Sequence, residues 1–343
     1  MISFGISVKN IPRVKFQFLT VDKWRLKLYN FVIITVKEAK MIEFKHIRTE
    51  DKTEYEKCLF GISERGCEAS FANLYMWGRQ KIAFLFGQAL VFSQFNRKSV
   101  YPYPVGNGDK KAAIDAIIAD AEERGIPCRI TGLNSEARQK IEELYPQKFR
   151  FYCDRASFDY VYDINDLADL KGKKYQKKRN HFNRFCANNP EYRVEPVSDA
   201  NIEAVRELVD SWYKKRMAED PEADFVMEQV ALSKALRDYK ELDLRGIAVF
   251  VGDEPVAITF GSRMSNDTFD IHFEKAKAEV DGAYAAVNCE FARYIRANFP
   301  DVKFFNREED MGLEGLRKAK ESYYPHHMVE KCWACLLEDG CEY

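Results

Sequence analysis

Asn306-Arg-Glu-Glu-Asp-Met-Gly-Leu-Glu-Gly-Leu-Arg-Lys-Ala-Lys-Glu-Ser-Tyr-Tyr-Pro325 ends on a short motif, Glu321-Ser-Tyr-Tyr-Pro325. The same kind of ending occurs earlier as Glu142-Glu-Leu-Tyr-Pro146. In both, a helix-compatible run meets a proline, which cannot continue a helix. Working outward from the two endings, one order of elements appears twice. In the first half, Ile82–Phe86 and Ala89–Phe92 flank Gly87-Gln88 as a hairpin. Gly106-Asn-Gly108-Asp109 then reads as a turn and helix cap, with Ile114, Ile117, Ile118 and Ala121 on one helix face. A short strand Cys128–Thr131, a helix Ser135–Tyr145 and a strand-like run Phe149–Tyr162 follow. In the second half, Gly246–Val251 and Val256–Phe260 form a hairpin and Thr268–Glu274 a further strand. Gly282 opens a helix with Val287, Phe291 and Ile295 on one face. Val302–Phe305 is a strand, Leu313–Tyr323 a helix and His327–Leu337 a final strand.

The length of 343 residues also corresponds to about two domains. The expected division is a basic leader over 1–40, a first half over 41–165, a basic linker or helix over 166–190, a second half over 191–338 and a tail over 339–343. The two halves differ in one informative place. From strand start to proline the separation is 18 positions in the first half (Cys128 to Pro146) and 23 in the second (Val302 to Pro325). The extra residues fall in Glu308–Gly312, between strand and helix, where mixed α/β folds keep their sites. The second half is therefore expected to carry the chemistry.

The net charge of −1 offers no case for a nucleic-acid partner by composition, but it averages unlike parts. Residues 1–40 hold eight Lys/Arg and two acids, and the remainder holds 45 bases against 52 acids. The leader lacks the order of a signal peptide, because its apolar stretch Leu28–Val36 is interrupted by Asn30 and ends in Lys-Glu-Ala-Lys. It reads as an over-extended translation start, with Met41 the true beginning. A basic arm for membrane or RNA is the competing reading. Nowhere does an apolar run approach the ~20 residues of a spanning helix. The nine cysteines form no paired framework and point to a reducing cytoplasm, with Cys332 and Cys335 packed in a strand rather than binding metal. No metal site is expected.

Three groups of residues bear chemistry. Along Thr268–Glu274, strict alternation would put Phe269, Ile271 and Phe273 on one face and Asp270, His272 and Glu274 on the other. Two acids and a histidine on one face suit general acid–base work, although solvated sheet faces carry such residues too. Second, Asn306, Arg307, Glu308 and Asp310 leave a strand end, and Arg317 and Lys320 share a helix face. Third, Lys171–Arg184 holds seven Lys/Arg and no acid. Within an acidic body it is expected to attract phosphate, through Lys173, Lys174, Lys177, Lys178, Arg179 and Arg184. No Ser-His-Asp triad, Walker loop or HExxH motif is evident in the sequence.

Phe273-Glu-Lys-Ala276, Gly282-Ala-Tyr284 with Asn288, and the run from Asn306 to Pro325 resemble the family built on the C-terminal domain of phosphatidylglycerol lysyltransferase, in its soluble, stand-alone branch. The resemblance covers residues 41 to about 338. It implies an α+β fold of tandem GNAT-like (acyl-CoA N-acyltransferase-like) domains, each a mixed central sheet flanked by helices, as in Fem-type peptidyltransferases. It also implies transfer of an aminoacyl group from aminoacyl-tRNA to an amine or hydroxyl, on a lipid headgroup or small molecule. Leu316, Arg317 and Lys320 are the element that matches best. The expected roles are His272 or Glu274 as base, and Arg317 and Lys320 as electrostatic stabilisers. Glu308 and Asp310 are expected to hold the donor's ammonium, with Asp270, Tyr284, Asn288, Asn306, Arg307 and Tyr323 lining the substrate site. No cofactor is expected beyond the charged tRNA. An acyl-CoA-dependent N-acyltransferase and a non-catalytic RNA- or metabolite-binding protein are the alternatives. Glu279-Val-Asp-Gly282 is a poor pyrophosphate cradle, because its acids would repel the phosphates.

Overall fold

The computed structural model describes residues 41–337 except 63, 79, 96–97 and 222–224. The expected leader and the tail at 339–343 lie outside the described residues. In chain order the strands of the first part are β1 (Lys45–His46), β2 (Lys81–Leu85), β3 (Gln88–Phe95), β4 (Lys98–Pro102), β5 (Arg129–Leu133), β6 (Phe149–Cys153) and β7 (Asp159–Asp163). They are followed by β8 (Arg193–Pro196), β9 (Arg245–Val251), β10 (Glu254–Arg263), β11 (Thr268–Ala276), β12 (Phe304–Asn306), β13 (His327–Val329) and β14 (Cys332–Leu336). The helices are α1 (Lys52–Leu59), α2 (Phe71–Met76), α3 (Lys110–Glu123), α4 (Ser135–Leu144), α5 (Ile164–Asp169) and α6 (Gln176–Asn188). Then come α7 (Ile202–Glu219), α8 (Val226–Arg237), α9 (Ala283–Asn298) and α10 (Glu314–Glu321).

Two mixed seven-stranded sheets result, in the orders β1-β2-β3-β4-β5-β14-β6 and β13-β7-β12-β11-β10-β9-β8. The β2–β3 hairpin turns through Phe86 and Gly87, both at positive φ, the combination that matches strand twist. Asp109 caps α3 by accepting from the Ala112 N–H at 3.0 Å. Ile114, Ile117 and Ala121 then bury against the first sheet. At Gly282 (φ +82°) a Cβ would stand 2.3 Å from the His181 carbonyl oxygen, so glycine is what lets α6 lie against the start of α9. A second apolar cluster packs α5, α6 and α9 on the second sheet. A third joins α1, α2, β2 and β3 to α7, α8 and β9–β11. Burying a large apolar side chain contributes roughly 1.5–3 kcal/mol, so this shared core binds the halves into one body. Among the described residues no helix is long and apolar enough to cross a membrane.

The halves exchange strands, and this corrects the expected boundaries. The boundary at 165 would leave β7 with the first half, yet β7 lies in the second sheet between β12 and β13. The boundary at 338 would leave β14 with the second half, yet β14 lies in the first sheet between β5 and β6. Phe149–Tyr162 and His327–Leu337 are thus each two strands in two sheets. A buried apolar run reports that a strand is covered, not which sheet covers it. The expected absence of paired cysteines is also corrected. Cys153 and Cys332 face each other across β6 and β14 and form a disulfide, tying the two crossing segments where they leave the first sheet.

Candidate functional site

Strands β11 and β12 run parallel but pair only over Thr268–Phe304, Phe269–Phe305 and Asp270–Asn306. Beyond Asn306 the chain turns to β7: Arg307 N–H donates to the Tyr160 carbonyl at 2.9 Å, and Tyr160 N–H to that of Glu308 at 3.2 Å. β11 meanwhile continues to Ala276. The two strands therefore splay, and side chains from either side of the gap enter it.

A bulge decides which side chains those are. β11 pairs Phe273 with Phe260 and Ile271 with Gly261, so His272 is skipped. One unpaired residue reverses every side chain beyond it. The expected common face of Asp270, His272 and Glu274 is therefore corrected: Asp270 and His272 face the first half, and Glu274 faces α9. Gly261 permits the bulge, since a Cβ there would lie 1.9 Å from the Asp270 carbonyl oxygen.

On the α9 side, Arg307 Nη2 donates to Glu274 Oε1 at 3.0 Å, and Asn288 Nδ2 donates to Glu274 Oε2 at 3.2 Å. The Arg307 guanidinium lies over the rings of Tyr323 and Tyr162, at 5.0 and 5.5 Å. Lys178 reaches in from α6, its ammonium 3.8 Å from the Tyr323 ring centre. Burial, aided by the Arg307 charge, brings the Lys178 amine down to about 8. Arg307 Nη1 and Asn288 Oδ1 are buried and unpartnered. The site thus presents one spare donor on a guanidinium and one spare amide oxygen beside a carboxylate. Tyr284, exposed, accepts from Trp212 Nε1 at 3.3 Å at the start of α9.

The other side holds a denser cluster. His272 Nε2 lies 2.8 Å from Ser262 Oγ, which is 3.5 Å from Ser70 Oγ. His272 Nδ1 is 3.5 Å from Asp270 Oδ2 and 3.5 Å from Glu308 Oε1. Asn73 Nδ2 contacts Asp270 Oδ2 at 3.2 Å and Glu308 Oε1 at 2.9 Å. Burial, reinforced by the Glu308 charge, pushes the Asp270 carboxyl well up. Adjacent, Lys331 Nζ bonds Asp159 at 2.6 Å, Glu309 at 2.8 Å and Glu68 at 3.4 Å. Burial alone would lower the Lys331 amine, but these carboxylates hold it well above its ordinary value. Burial raises Asp159 to about 6 against the pull of Lys331. Asn306 donates to Asp159 Oδ2 at 2.9 Å. Cys67, beside them, has its thiol pushed up by burial and by Asp159.

Three expected site residues are engaged elsewhere. Arg317 clasps Asp310 through two bonds of 2.8 and 3.1 Å, and Tyr160 donates to the same carboxylate at 2.6 Å. The Arg317 hydrogen bond holds Asp310 far below the usual carboxylate range. Lys320 donates to the carbonyls of Arg307, Glu308 and Glu309, the last at 2.6 Å, and so pins the strand-to-helix loop. In the basic segment, Lys174 pairs with Asp166, Arg184 with Asp281, and Arg179 with the carbonyls of Leu170 and Gly172, while Lys173 and Lys177 stay exposed. Sequence reasoning missed Asn73, Ser262, Asp159 and Lys331. Only Asp159, an acid that opens the strand ahead of the apolar Tyr160-Val161-Tyr162, left a trace.

The family model for the C-terminal region of phosphatidylglycerol lysyltransferase matches residues 60–335. The chain belongs to that family. A solved conserved protein of unknown function from Bacteroides thetaiotaomicron is 38% identical, with a TM-score of 0.82, over 86% of this chain and all of that one. The structure of L-PGS from Bacillus licheniformis aligns with a TM-score of 0.62 at 16% identity, over 86% of this chain and 94% of that one. An uncharacterised protein of Mycoplasmoides gallisepticum is 21% identical over 178 residues, and the chain spans about half the length of this curated relative. The fold is the tandem GNAT-like one, in which each half contributes a mixed sheet flanked by helices.

Proposed function

We propose that this chain is an aminoacyltransferase that moves an aminoacyl group from aminoacyl-tRNA to an amine or hydroxyl acceptor. The observation that carries the reading is the Glu274–Arg307–Asn288 array in the splay, with a spare donor, a spare acceptor and a lysine of lowered pKa beside it. An aminoacyl ester is already activated, so the work left is to orient it, deprotonate the acceptor and stabilise the oxyanion. Glu274 and Asn288 Oδ1 would hold the donor's α-ammonium. Neutral Lys178 would take the proton as the acceptor attacks the ester carbon, and Arg307 Nη1 would face the developing oxyanion. The intermediate collapses by breaking the bond to the ribose oxygen, which leaves with the proton from Lys178. In this scheme Lys178 replaces His272 as base, since His272 lies on the opposite side of the bulge.

Lys173 and Lys177 would meet tRNA phosphate, a smaller contact than the composition of 171–184 promises. The acyl-CoA alternative has less support: Glu279 and Asp281 border the start of α9, paired to Lys215 and Arg184. The test is transfer of a labelled aminoacyl group from a mixed charged-tRNA pool to phosphatidylglycerol vesicles or to small amines. Arg307→Ala is expected to abolish transfer while tRNA still binds. Absence of transfer to every acceptor, together with stabilisation by acetyl-CoA, overturns the reading.

A further inference from the structure

Five carboxylates, Glu68, Asp159, Asp270, Glu308 and Glu309, gather on the first-half side of β11. Lys331 is shared by three of them. Among the described residues no Lys or Arg forms an ion pair with Asp270 or Glu308. Between them stands His272, and its hydrogen bonding fixes an unusual situation. Nε2 is held by Ser262 Oγ at 2.8 Å, which leaves Nδ1 facing the two carboxylates. Nδ1 of His272 and Oδ1 of Asp270 are both buried without a hydrogen-bond partner. Asp270 is fully buried and the His272 side chain is 1% exposed. Unpaired buried polar atoms each cost on the order of 1–3 kcal/mol, and the unpaired Nδ1 stands 3.5 Å from both Asp270 Oδ2 and Glu308 Oε1, a setting that suits a cation.

The geometry points to a divalent transition-metal site formed by His272 Nδ1, Asp270 and Glu308. One ligand atom from each residue lies within 4.8 Å of the others, and both distances from Nδ1 to the carboxylate oxygens are 3.5 Å. Metal–ligand bonds of about 2.0–2.2 Å at tetrahedral angles set ligand atoms roughly 3.3–3.6 Å apart. The surroundings supply the usual outer support: Ser262 orients the imidazole through Nε2, and Asn73 Nδ2 bonds both carboxylates. One imidazole with two carboxylates suits Zn²⁺ or Mn²⁺ better than Mg²⁺ or Ca²⁺, which prefer all-oxygen sets. Glu308, 22% exposed at its side chain, is the side from which an ion enters. The three ligands belong to the second half, and the first half contributes only the outer hydrogen bonds of Asn73 from α2. The inference does not depend on the proposed transfer reaction.

The experiment uses the full chain, stripped with EDTA and titrated calorimetrically with Zn²⁺, Mn²⁺ and Mg²⁺, with metal content measured after gel filtration. The expected result is one Zn²⁺ or Mn²⁺ per chain and a melting midpoint raised by at least about 3 °C at a hundredfold excess over Kd. Mg²⁺ should have no effect. Co²⁺ substitution should give visible bands without the sulfur charge-transfer absorption that binding at Cys67 would produce. His272→Gln and Glu308→Gln should each weaken binding at least tenfold. Glu308 is the more exposed of the two, so Glu308→Gln keeps the test intact if His272→Gln fails to fold. No stoichiometric ion, or binding unchanged in a folded Glu308→Gln protein, overturns the site.

Discussion

Replacing Lys320 with Met removes an ammonium but keeps most of the volume of the side chain. In the structure that ammonium donates to three backbone carbonyls, those of Arg307, Glu308 and Glu309. Hydrogen bonds from a charged donor contribute about 1.5–3 kcal/mol each, so the gross loss is roughly 5–9 kcal/mol. Against it stands the cost of keeping the amine buried, several kcal/mol, which the variant no longer bears. That burial also lowers the Lys320 pKa. The net expectation is a destabilisation of about 3–4 kcal/mol, or a melting midpoint lower by roughly 5–10 °C. Because the three carbonyls shape the loop that delivers Arg307, transfer should fall with stability. Urea unfolding and the transfer assay on Lys320→Met measure the two. If stability changes by less than about 1 kcal/mol while transfer is abolished, Lys320 acts on the substrate and the loop-pinning argument is wrong.

Other expectations can be checked in parallel. With Lys178 titrating at about 8, its neutral form grows as pH rises, so transfer should increase roughly fivefold from pH 7 to pH 8 and level off above about pH 9. Lys178→Arg, which stays charged, should cut the rate at least about a hundredfold and erase this rise; a profile flat across that range removes Lys178 as base. Gly261→Ala should destabilise by about 1–3 kcal/mol or more, because its Cβ would lie 1.9 Å from the Asp270 oxygen, and a urea midpoint equal to the parent's would refute the bulge. Thiol titration of the denatured chain should find two more thiols after reduction than before, from Cys153 and Cys332. Reduction should also lower the thermal midpoint, by at most roughly 5 kcal/mol of stability in the loop-entropy picture; equal thiol counts would show that the pair is not bonded.

The repeat was legible because its signals are local. Prolines 146 and 325, the cap at Asp109 and the glycine at 282 each act on their own neighbourhood, and the structure places them as their chemistry requires. Arg307, Glu274, Asn288 and Tyr323 could be proposed from sequence, and they do meet in the splay. Their separation from His272 could not be proposed. A bulge depends on how Gly261 meets the Asp270 backbone across the sheet, and alternation along one strand carries no record of its partner's register. Asn73 and Lys331 were equally out of reach, since they come from distant elements and become partners of Asp270 and Asp159 only after the halves dock. Lys178 was visible as one of six basic residues expected to face phosphate, but its place beside Tyr323 was not. Helix packing decides which member of a basic run turns inward, and the run itself does not record it.

The exchange of β7 and β14 has a consequence for how the chain is made. β14 fills the gap between β5 and β6, and Cys332 pairs with a residue 179 positions earlier. While the ribosome is still producing the second half, β5 is an open sheet edge and β6 lacks the strand it pairs with, so both offer unpaired backbone groups. Such edges recruit other strands, and contacts this distant in sequence form slowly. The nascent first half therefore waits, exposed, for a strand that arrives almost two hundred residues later. Shielding of these edges during synthesis should therefore affect how much folded protein a cell obtains.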